Sequence, residues 1–509
     1  MMPTPNQTQL RRDRPLCHRM MVITCGLTLC FSGVVWRLYV LHLKQGPALA
    51  EEASKKFRED RILPAQRGSI KDHSDRYLAY DEEVYELRTD RVHLYDVRSI
   101  LPNLARVRGV TQKELTRTLS DEEILQAYHK HVAEALSAKL GGSVDEMLEK
   151  ITSKRPVEVL TNNMNDDLAK EWRQHLDATF VKGVYVKSAV RRHYPTENRL
   201  ALIIGGVEEG KGGVQGIERT FEDTLRGSPG YVCVEHDKYG RELLLYRGEI
   251  KEPVHGKDVH LTIDLQLQDA VDAIVAEAQA TYRPNKIMAL VTDVSTGSIL
   301  AMSFTPGHDR QEPATTNWKN LTIYEPYEPG STFKVVAFTA ALDQKKITPD
   351  EPFDCNFGHY TDPVLKTTLR DVSRMGTVPA REAFAKSSNI GTYKVFKRVG
   401  QETYLDYVKR FGFGQKTGIE LSGESRGYVN DGHWSNTTYS RFPMGYEVNV
   451  TPLQMAMAYG AIANGGILMK PRLVERIVSD GGRKITEMPP QAVGQVCTGK
   501  TAALMRELM

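Results

Sequence analysis

At 509 residues the chain exceeds one ordinary hydrophobic core, so roughly two to four domains are expected. Its composition, 40% hydrophobic and 26% charged, is that of a globular protein, and 67 Lys+Arg against 64 Asp+Glu leave a net charge of +3, which argues against nucleic acid as the main partner. The cysteines, Cys17, Cys25, Cys30, Cys233, Cys355 and Cys497, show no C-x-x-C and no paired spacing, so neither a zinc site nor a disulfide framework is signalled. No H-E-x-x-H occurs, and "HKH" (His129 to His131) lies among polar residues and reads as a solvated face.

The first element is a candidate membrane helix. Residues 1–19 form a tail with Arg11, Arg12, Arg14 and Arg19 against Asp13. Met20 to Trp36 is a run of 17 uncharged, largely apolar residues, near the lower limit for a span. Arg37 can snorkel and Leu38 to Leu43 continues the apolar character, which predicts an anchor over 20–43. The basic flank keeps the N-terminus in the cytoplasm and places the bulk outside. A cleaved signal peptide is the rival, since Ala48-Leu49-Ala50 has an A-x-A look. That site lies far beyond the apolar run, so an uncleaved anchor is preferred.

Residues 50–98 mix short strand-like runs with turns, and 110–175 read as a helical insertion. There Leu125, Tyr128, Val132, Leu136 and Leu140 recur on one helix face, Gly141-Gly142 stops the helix, and Ser143 with Glu146 reads as a capping box for the next. "GIERTFEDTLRGSPG" reads as a helix ended by Gly227, and a domain boundary is placed near residue 255, separating 44–254 from 255–509. "KIMALVTDVSTGSILAMSF" predicts two strands joined by Ser295-Thr296-Gly297, and the chain beyond Tyr324 is mainly helical.

Ser331 and Lys334 form the only S-x-x-K, in "YEPGSTFKVVAFTAAL". The spacing is nearly one helical turn, so both side chains share a face of an apolar helix. Burial lowers a lysine pKa, and a neutral lysine beside a serine hydroxyl can take its proton and create a nucleophile. An N-cap serine with an ordinary surface lysine would have the same letters. In "AKSSNIG", Ser387 and Asn389 fit S-x-N, 56 residues after Ser331. Ser387 can relay a proton to a leaving group and Asn389 can hold a substrate amide. A plain polar helix end is the alternative.

These residues, with "PAQRGSIKD", "RRHYP", "GGVQGIERTFEDTLRG", "DVHLTIDLQLQ", "TGSILAM" and "MGYEVNVTPLQMAMAYGAIANGG" in order, resemble the class B penicillin-binding proteins over most of the chain. "DHSDRYLA" departs from that family's usual D-R-N-G-x-x-L-A. The resemblance implies an α+β protein: a membrane helix, an elongated α/β pedestal or dimerisation domain over 44–254, and a transpeptidase domain over 255–509 with helices around an antiparallel sheet. It implies a peptidoglycan D,D-transpeptidase of the septal type, with Ser331 as nucleophile and site of β-lactam acylation. Lys334 would be the general base, Ser387 the proton relay and Asn389 the group that positions the substrate amide. Implied partners are peptidoglycan stem peptides, β-lactams, the inner membrane and other membrane proteins of cell-wall synthesis and division. No cofactor is implied.

Two triplets imitate functional motifs. Lys416-Thr417-Gly418 follows a helix and a glycine-rich turn, the place of the family's G-F-G-x-x-T-G turn, and is expected to do no chemistry. "GQVCTGKT" (Gly494 to Thr501) matches the phosphate-loop pattern, but a strand before it and a full helix after it are not expected. The family's catalytic K-T-G comes later on a strand. Lys500-Thr501 is followed by Ala502, so that motif and its strands are expected to be missing and the chain truncated. Losing one oxyanion donor would cost about 10²–10³ in rate. A catalytically dead membrane scaffold, or a β-lactam-hydrolysing or sensing serine protein, is therefore the alternative function.

Overall fold

The computed structural model describes residues 7–49, 58–208, 210–235, 250–308, 310 and 319–509. Ala50, the end of the A-x-A alternative, falls outside them. By compactness the chain divides into two units, residues 1–65 with 228–255 and residues 66–227 with 256–509.

The first unit holds a helix, Gln7–Tyr39, that runs on as a π-helical turn, Val40–Lys44. Its stretch His18–Lys44 spans 27 residues with a mean hydropathy of 1.7 and no burial, long and apolar enough to cross a membrane. Thr24 and Thr28 donate their hydroxyls to the carbonyls four residues earlier, both at 2.8 Å, so neither needs water. The same unit contains an antiparallel sheet of Arg58–Leu63, Gly230–Glu235 and Ile250–Lys251.

In the second unit a mixed sheet runs in the order Lys484–Glu487, Val474–Ser479, Asp258–Leu261, Ile70–Lys71, Tyr77–Thr89, Val159–Met164, and Val184–His193 also pairs with Tyr77–Thr89. Within this sheet the Ile70–Lys71 pairing with Asp258–Leu261 is parallel and the other strand pairings are antiparallel. This sheet joins both sides of the boundary read near residue 255, which is why compactness groups 66–227 with 256–509. Three of the family-like motifs meet beside it. Glu218, with no exposed side-chain surface, lies between Arg67 (2.6 Å) and Arg192 (2.8 Å). Arg67 also reaches Glu222 and Arg192 reaches Asp81, so each buried charge has a partner.

The helical lobe is larger than the sequence pattern suggests. Six helices run from Arg91 to Ala178, and the strand Val159–Met164 interrupts them. The first two start earlier because Asp90 and Asp96 cap them. Tyr128, Val132 and Leu136 are fully buried as the periodicity predicts, and Gly141 ends that helix at φ +79°. Ser143 accepts from the Glu146 amide, but Glu146 turns its carboxylate to Lys150, so that capping box is half formed. The complete boxes are Thr111 with Glu114 and Ser120 with Glu123. The "HKH" expectation is corrected. His129 is buried and its Nε2–H donates to the Leu94 carbonyl at 3.0 Å, while His131 donates to the Thr179 carbonyl at 2.8 Å. The "GIERTFEDTLRG" helix is also corrected to two short ones, Gly216–Thr220 and Glu222–Leu225, parted at Phe221.

The predicted hairpin is present as Ile287–Thr292 and Ile299–Thr305. Asp293 closes its turn by accepting from the Ser295 amide and hydroxyl and the Thr296 hydroxyl. Leu265–Tyr282 and Pro452–Ala463 pack on this hairpin. At the centre of the remaining helices lies Lys334–Asp343, buried from Lys334 to Leu342 against Asn389–Val399, Gln401–Arg410 and Gly499–Leu508. Its residues are apolar on most sides, Lys334, Thr339 and Asp343 apart, the pattern of a helix with little solvent face.

Candidate active site

Ser331 lies not on the α-helix but on a 3₁₀ turn, Gly330–Phe333, that runs into it at Lys334. The Lys334 backbone N–H donates to the Ser331 carbonyl, which closes the turn between the two residues. Three contacts fix the turn. Gly330 has φ +57° and donates to the Gly445 carbonyl at 3.1 Å. A side chain at Gly445 would meet the Gly330 carbonyl at 2.2 Å, so only glycine fits there. Tyr459 donates its hydroxyl to the Thr332 carbonyl at 2.8 Å. The Ser331 side chain is left exposed, while Lys334 keeps only 1% of its surface.

The Lys334 Nζ donates to three acceptors: the Ser387 carbonyl at 2.7 Å, the Ser387 hydroxyl at 2.9 Å and Asn389 Oδ1 at 2.7 Å. No bond to Ser331 is made among the described residues. The structure therefore gathers Lys334, Ser387 and Asn389 into one cluster and holds Ser331 one short turn away. Burial pulls the Lys334 ammonium down to about 8 against the opposing pull of Asp371. Near that pH the amine loses its proton, and the Ser387 hydroxyl can turn and donate to it.

Ser387 has φ +57°, a left-handed conformation rarely taken by a residue with a side chain. The strain is held from both sides. The Ser387 amide donates to the Phe384 carbonyl, and Ser388 caps the helix Asn389–Val399 by accepting from the Gly391 amide at 2.8 Å. The Asn389 amide is engaged at both ends, since its Nδ2 donates to the Arg370 carbonyl at 2.8 Å. Without substrate, Asn389 thus positions Lys334. Sequence reasoning gave no role to Arg370 and Asp371, which stand outside the quoted motifs, or to Gly445 and Tyr459, which lie within "MGYEVNVTPLQMAMAYGAIANGG".

Both imitations are resolved by hydrogen bonding. Lys416 is exposed, and the Thr417 amide and hydroxyl and the Gly418 amide all donate to Glu424, which closes a turn. "GQVCTGKT" does have a strand before it, Ala492–Gln495, and a helix after it, Gly499–Leu508, contrary to expectation. The anion position at the helix start is nevertheless filled. Asp343 accepts from the Thr498 amide at 2.9 Å and from the Thr501 hydroxyl at 2.8 Å. Gly494 lies in the strand and Gly499 in the helix, neither in the left-handed conformation that shapes a phosphate-cradling nest.

Comparison with known proteins agrees with this geometry. Residues 62–261 match the penicillin-binding protein dimerisation domain and 287–509 match the penicillin binding protein transpeptidase domain. The chain is 28% identical over 487 residues to penicillin-binding protein PbpB of Mycobacterium tuberculosis, covering 93% of this chain and 68% of that protein. It is 27% identical over 457 residues to the peptidoglycan D,D-transpeptidase FtsI of Escherichia coli, covering 87% of this chain and 71% of that protein. The crystal structure of penicillin binding protein 3 of Mycobacterium tuberculosis complexed with aztreonam superposes with a TM-score of 0.60 at 25% identity, over 88% of this chain and 75% of that one. The fold and the two matched domains define a wall-synthesis protein with a serine acyl-transfer domain. The chain belongs to the class B penicillin-binding proteins.

Proposed function

We propose that the protein is a peptidoglycan D,D-transpeptidase that works through an acyl-enzyme on Ser331. The observation that carries this is the buried Lys334 amine, bonded to Ser387 and Asn389, in the residue that follows the 3₁₀ turn of the exposed Ser331. Lys334 Nζ takes the Ser331 proton as Oγ attacks the penultimate D-alanine carbonyl of a stem peptide. The Ser331 amide lies in the 3₁₀ turn that leads into the helix Lys334–Asp343, where the first N–H groups lack an intrahelical acceptor, and is one donor for the developing oxyanion. Collapse of the tetrahedral adduct breaks the peptide bond, and Ser387 passes the proton from Lys334 to the departing D-alanine nitrogen. An amine of a neighbouring strand then attacks the ester, forms the cross-link and returns the proton to Ser331. Asn389 keeps one N–H and one lone pair free to align the substrate amide. A β-lactam enters at the first step and stops as a stable ester.

The same reading places residues 44–254 as the pedestal and 255–509 as the transpeptidase domain. The basic tail before His18–Lys44 supports a cytoplasmic N-terminus, with the bulk on the outer face of the inner membrane. The similarity to PbpB and FtsI supports a septal role beside other division proteins of the membrane. Fluorescent penicillin with intact-mass analysis tests the chemistry. The wild-type protein is expected to gain one penicilloyl group and Ser331→Ala none. Labelling of Ser331→Ala at the wild-type rate would overturn the assignment.

A further inference from the structure

Between the two helices that carry the site, the chain makes an excursion over residues 352–379 built of two small hairpins, Pro352–Asp354 with Thr377–Pro379 and His359–Thr361 with Thr368–Arg370. Phe353, Cys355, Leu369 and Met375 are buried in it, and two carboxylates tie it along one face of the helix Asn389–Val399. Asp362, with no exposed surface, accepts from the Val364 and Leu365 amides of its own hairpin tip. From the helix it accepts the Tyr393 hydroxyl and the Lys397 ammonium, both at 2.9 Å. Asp371 grips the start of the same helix. Its Oδ1 accepts from the Asn389 amide at 2.6 Å and the Ile390 amide at 3.0 Å, and its Oδ2 accepts from the Ser388 hydroxyl at 2.6 Å. Asn389, Tyr393 and Lys397 are spaced four apart, one helix face.

We propose that Asp371 is a positioning residue of the acyl-transfer site. It locks the strained Ser387–Asn389 turn onto Lys334 and serves as the counter-charge of that buried ammonium. The inference rests on the acyl-transfer reading given above and adds to it a group outside every motif. Three bonds from one carboxylate fix the Ser388 hydroxyl and the first two helix amides, and so set the direction of Asn389 Oδ1 and the Ser387 hydroxyl. Asp371 also acts on Lys334 through space, opposing the effect of burial. The other groups around Lys334 are accounted for. Ser331 lies on the turn before it, and Ser387 and Asn389 bond to it from the helix start, all uncharged. Cys355, 3.3 Å from the Ser388 hydroxyl, has its thiol pushed up by burial and is neutral. Lys386 pairs with Glu382, Lys394 donates to Asn356, and Arg370 and Arg374 are exposed.

The test uses the full-length protein in detergent with Asp371→Asn and Asp371→Ala. The asparagine keeps an oxygen for the two helix amides and can donate to the Ser388 hydroxyl, so it preserves the turn and removes the charge. Acylation by a fluorescent penicillin is followed as a function of pH. Lys334 is titrated separately by nitrogen-15 lysine NMR, its signal assigned by loss in Lys334→Ala. In the wild type both transitions are expected near about 8. In Asp371→Asn both move to lower pH, because an ammonium without its counter-charge loses its proton more readily. Asp371→Ala also frees the turn and loses about 10²-fold in acylation rate at every pH, the cost of a misplaced catalytic group. Superimposable titrations of Lys334 in wild type and Asp371→Asn would overturn the proposal, as would an Asp371→Ala protein that acylates at the wild-type rate. A wild type that never acylates, with Lys334 still shifted in Asp371→Asn, would sink the acyl-transfer reading and support the hold of Asp371 on Lys334.

Discussion

Two helices begin on an aspartate sent from elsewhere in the chain. At Asn389–Val399 the carboxylate is Asp371 and the capping side chain is Ser388; at Gly499–Leu508 they are Asp343 and Thr498. Both satisfy N–H groups that the helix cannot, and both place negative charge at the positive end of the helix dipole. Their surroundings differ. Asp371 lies opposite a buried ammonium and beside a strained serine. Asp343 takes its fourth bond from the Tyr407 hydroxyl, and its neighbour Cys497 is a buried thiol pushed up to about 12 by its apolar environment. The same local device stands beside the proposed site in one place and apart from it in the other. What separates them is the group that the fold sets across from the carboxylate.

The largest effect expected is on lysines that share the letters but not the setting. Lys334→Ala should cut penicillin acylation by roughly 10²–10⁴-fold, the usual worth of a general base. Lys500→Ala and Lys416→Ala, both at exposed positions, should leave the acylation rate at the wild-type value. A loss in either would show that an imitation motif does chemistry after all.

The burial of Lys334 should also appear in stability. Its folded value, about 8, lies below the ordinary 10.5, so between these pH values the unfolded chain binds a proton that the folded one does not. Stability relative to Lys334→Met should therefore rise as pH increases from about 8 to about 10.5, by up to about 3 kcal/mol. Thermal unfolding of both proteins across that range measures it, and parallel curves would mean that Lys334 is not buried as a cation.

Removing the other aspartate should cost fold and spare chemistry. Asp343→Ala leaves the Thr498 amide and Tyr407 hydroxyl without their acceptor and should destabilise by about 2 kcal/mol in urea unfolding. The pH profile of acylation should not move, and a displaced profile would erase the distinction from Asp371. The smallest effect belongs to the turn at Lys416. Glu424→Gln keeps one acceptor oxygen for Thr417 and Gly418 and should cost about 1 kcal/mol, with acylation unchanged.

Ser331 and Lys334 could be paired in the chain from their spacing, because the local backbone alone sets them on one turn and the next. Ser387 and Asn389 were legible as a motif, but their bonds to Lys334 cross more than fifty residues and no local rule dictates them. Asp371 could not be found. "TLRDVSR" has no periodicity and no catalytic spacing, and the residue matters only because two hairpins lay it against a helix start eighteen positions away. His129 was misread for the same reason. Its sequence neighbours are polar, and the Leu94 carbonyl that buries it comes from another helix.

By itself, the sequence determined the apolar N-terminal helix, the hairpin at 287–305, the largely apolar central helix and the order of motifs that marks the family. Each follows from interactions between residues close in the chain, or from composition over one element. The tertiary structure decided which polar groups face one another. It put Asp371 at the start of the helix Asn389–Val399, Asp343 at the start of the helix Gly499–Leu508, and Glu218 between Arg67 of a loop and Arg192 of a strand. Charge and hydrogen bonding act over a few ångströms of space, and only the folded chain sets those distances.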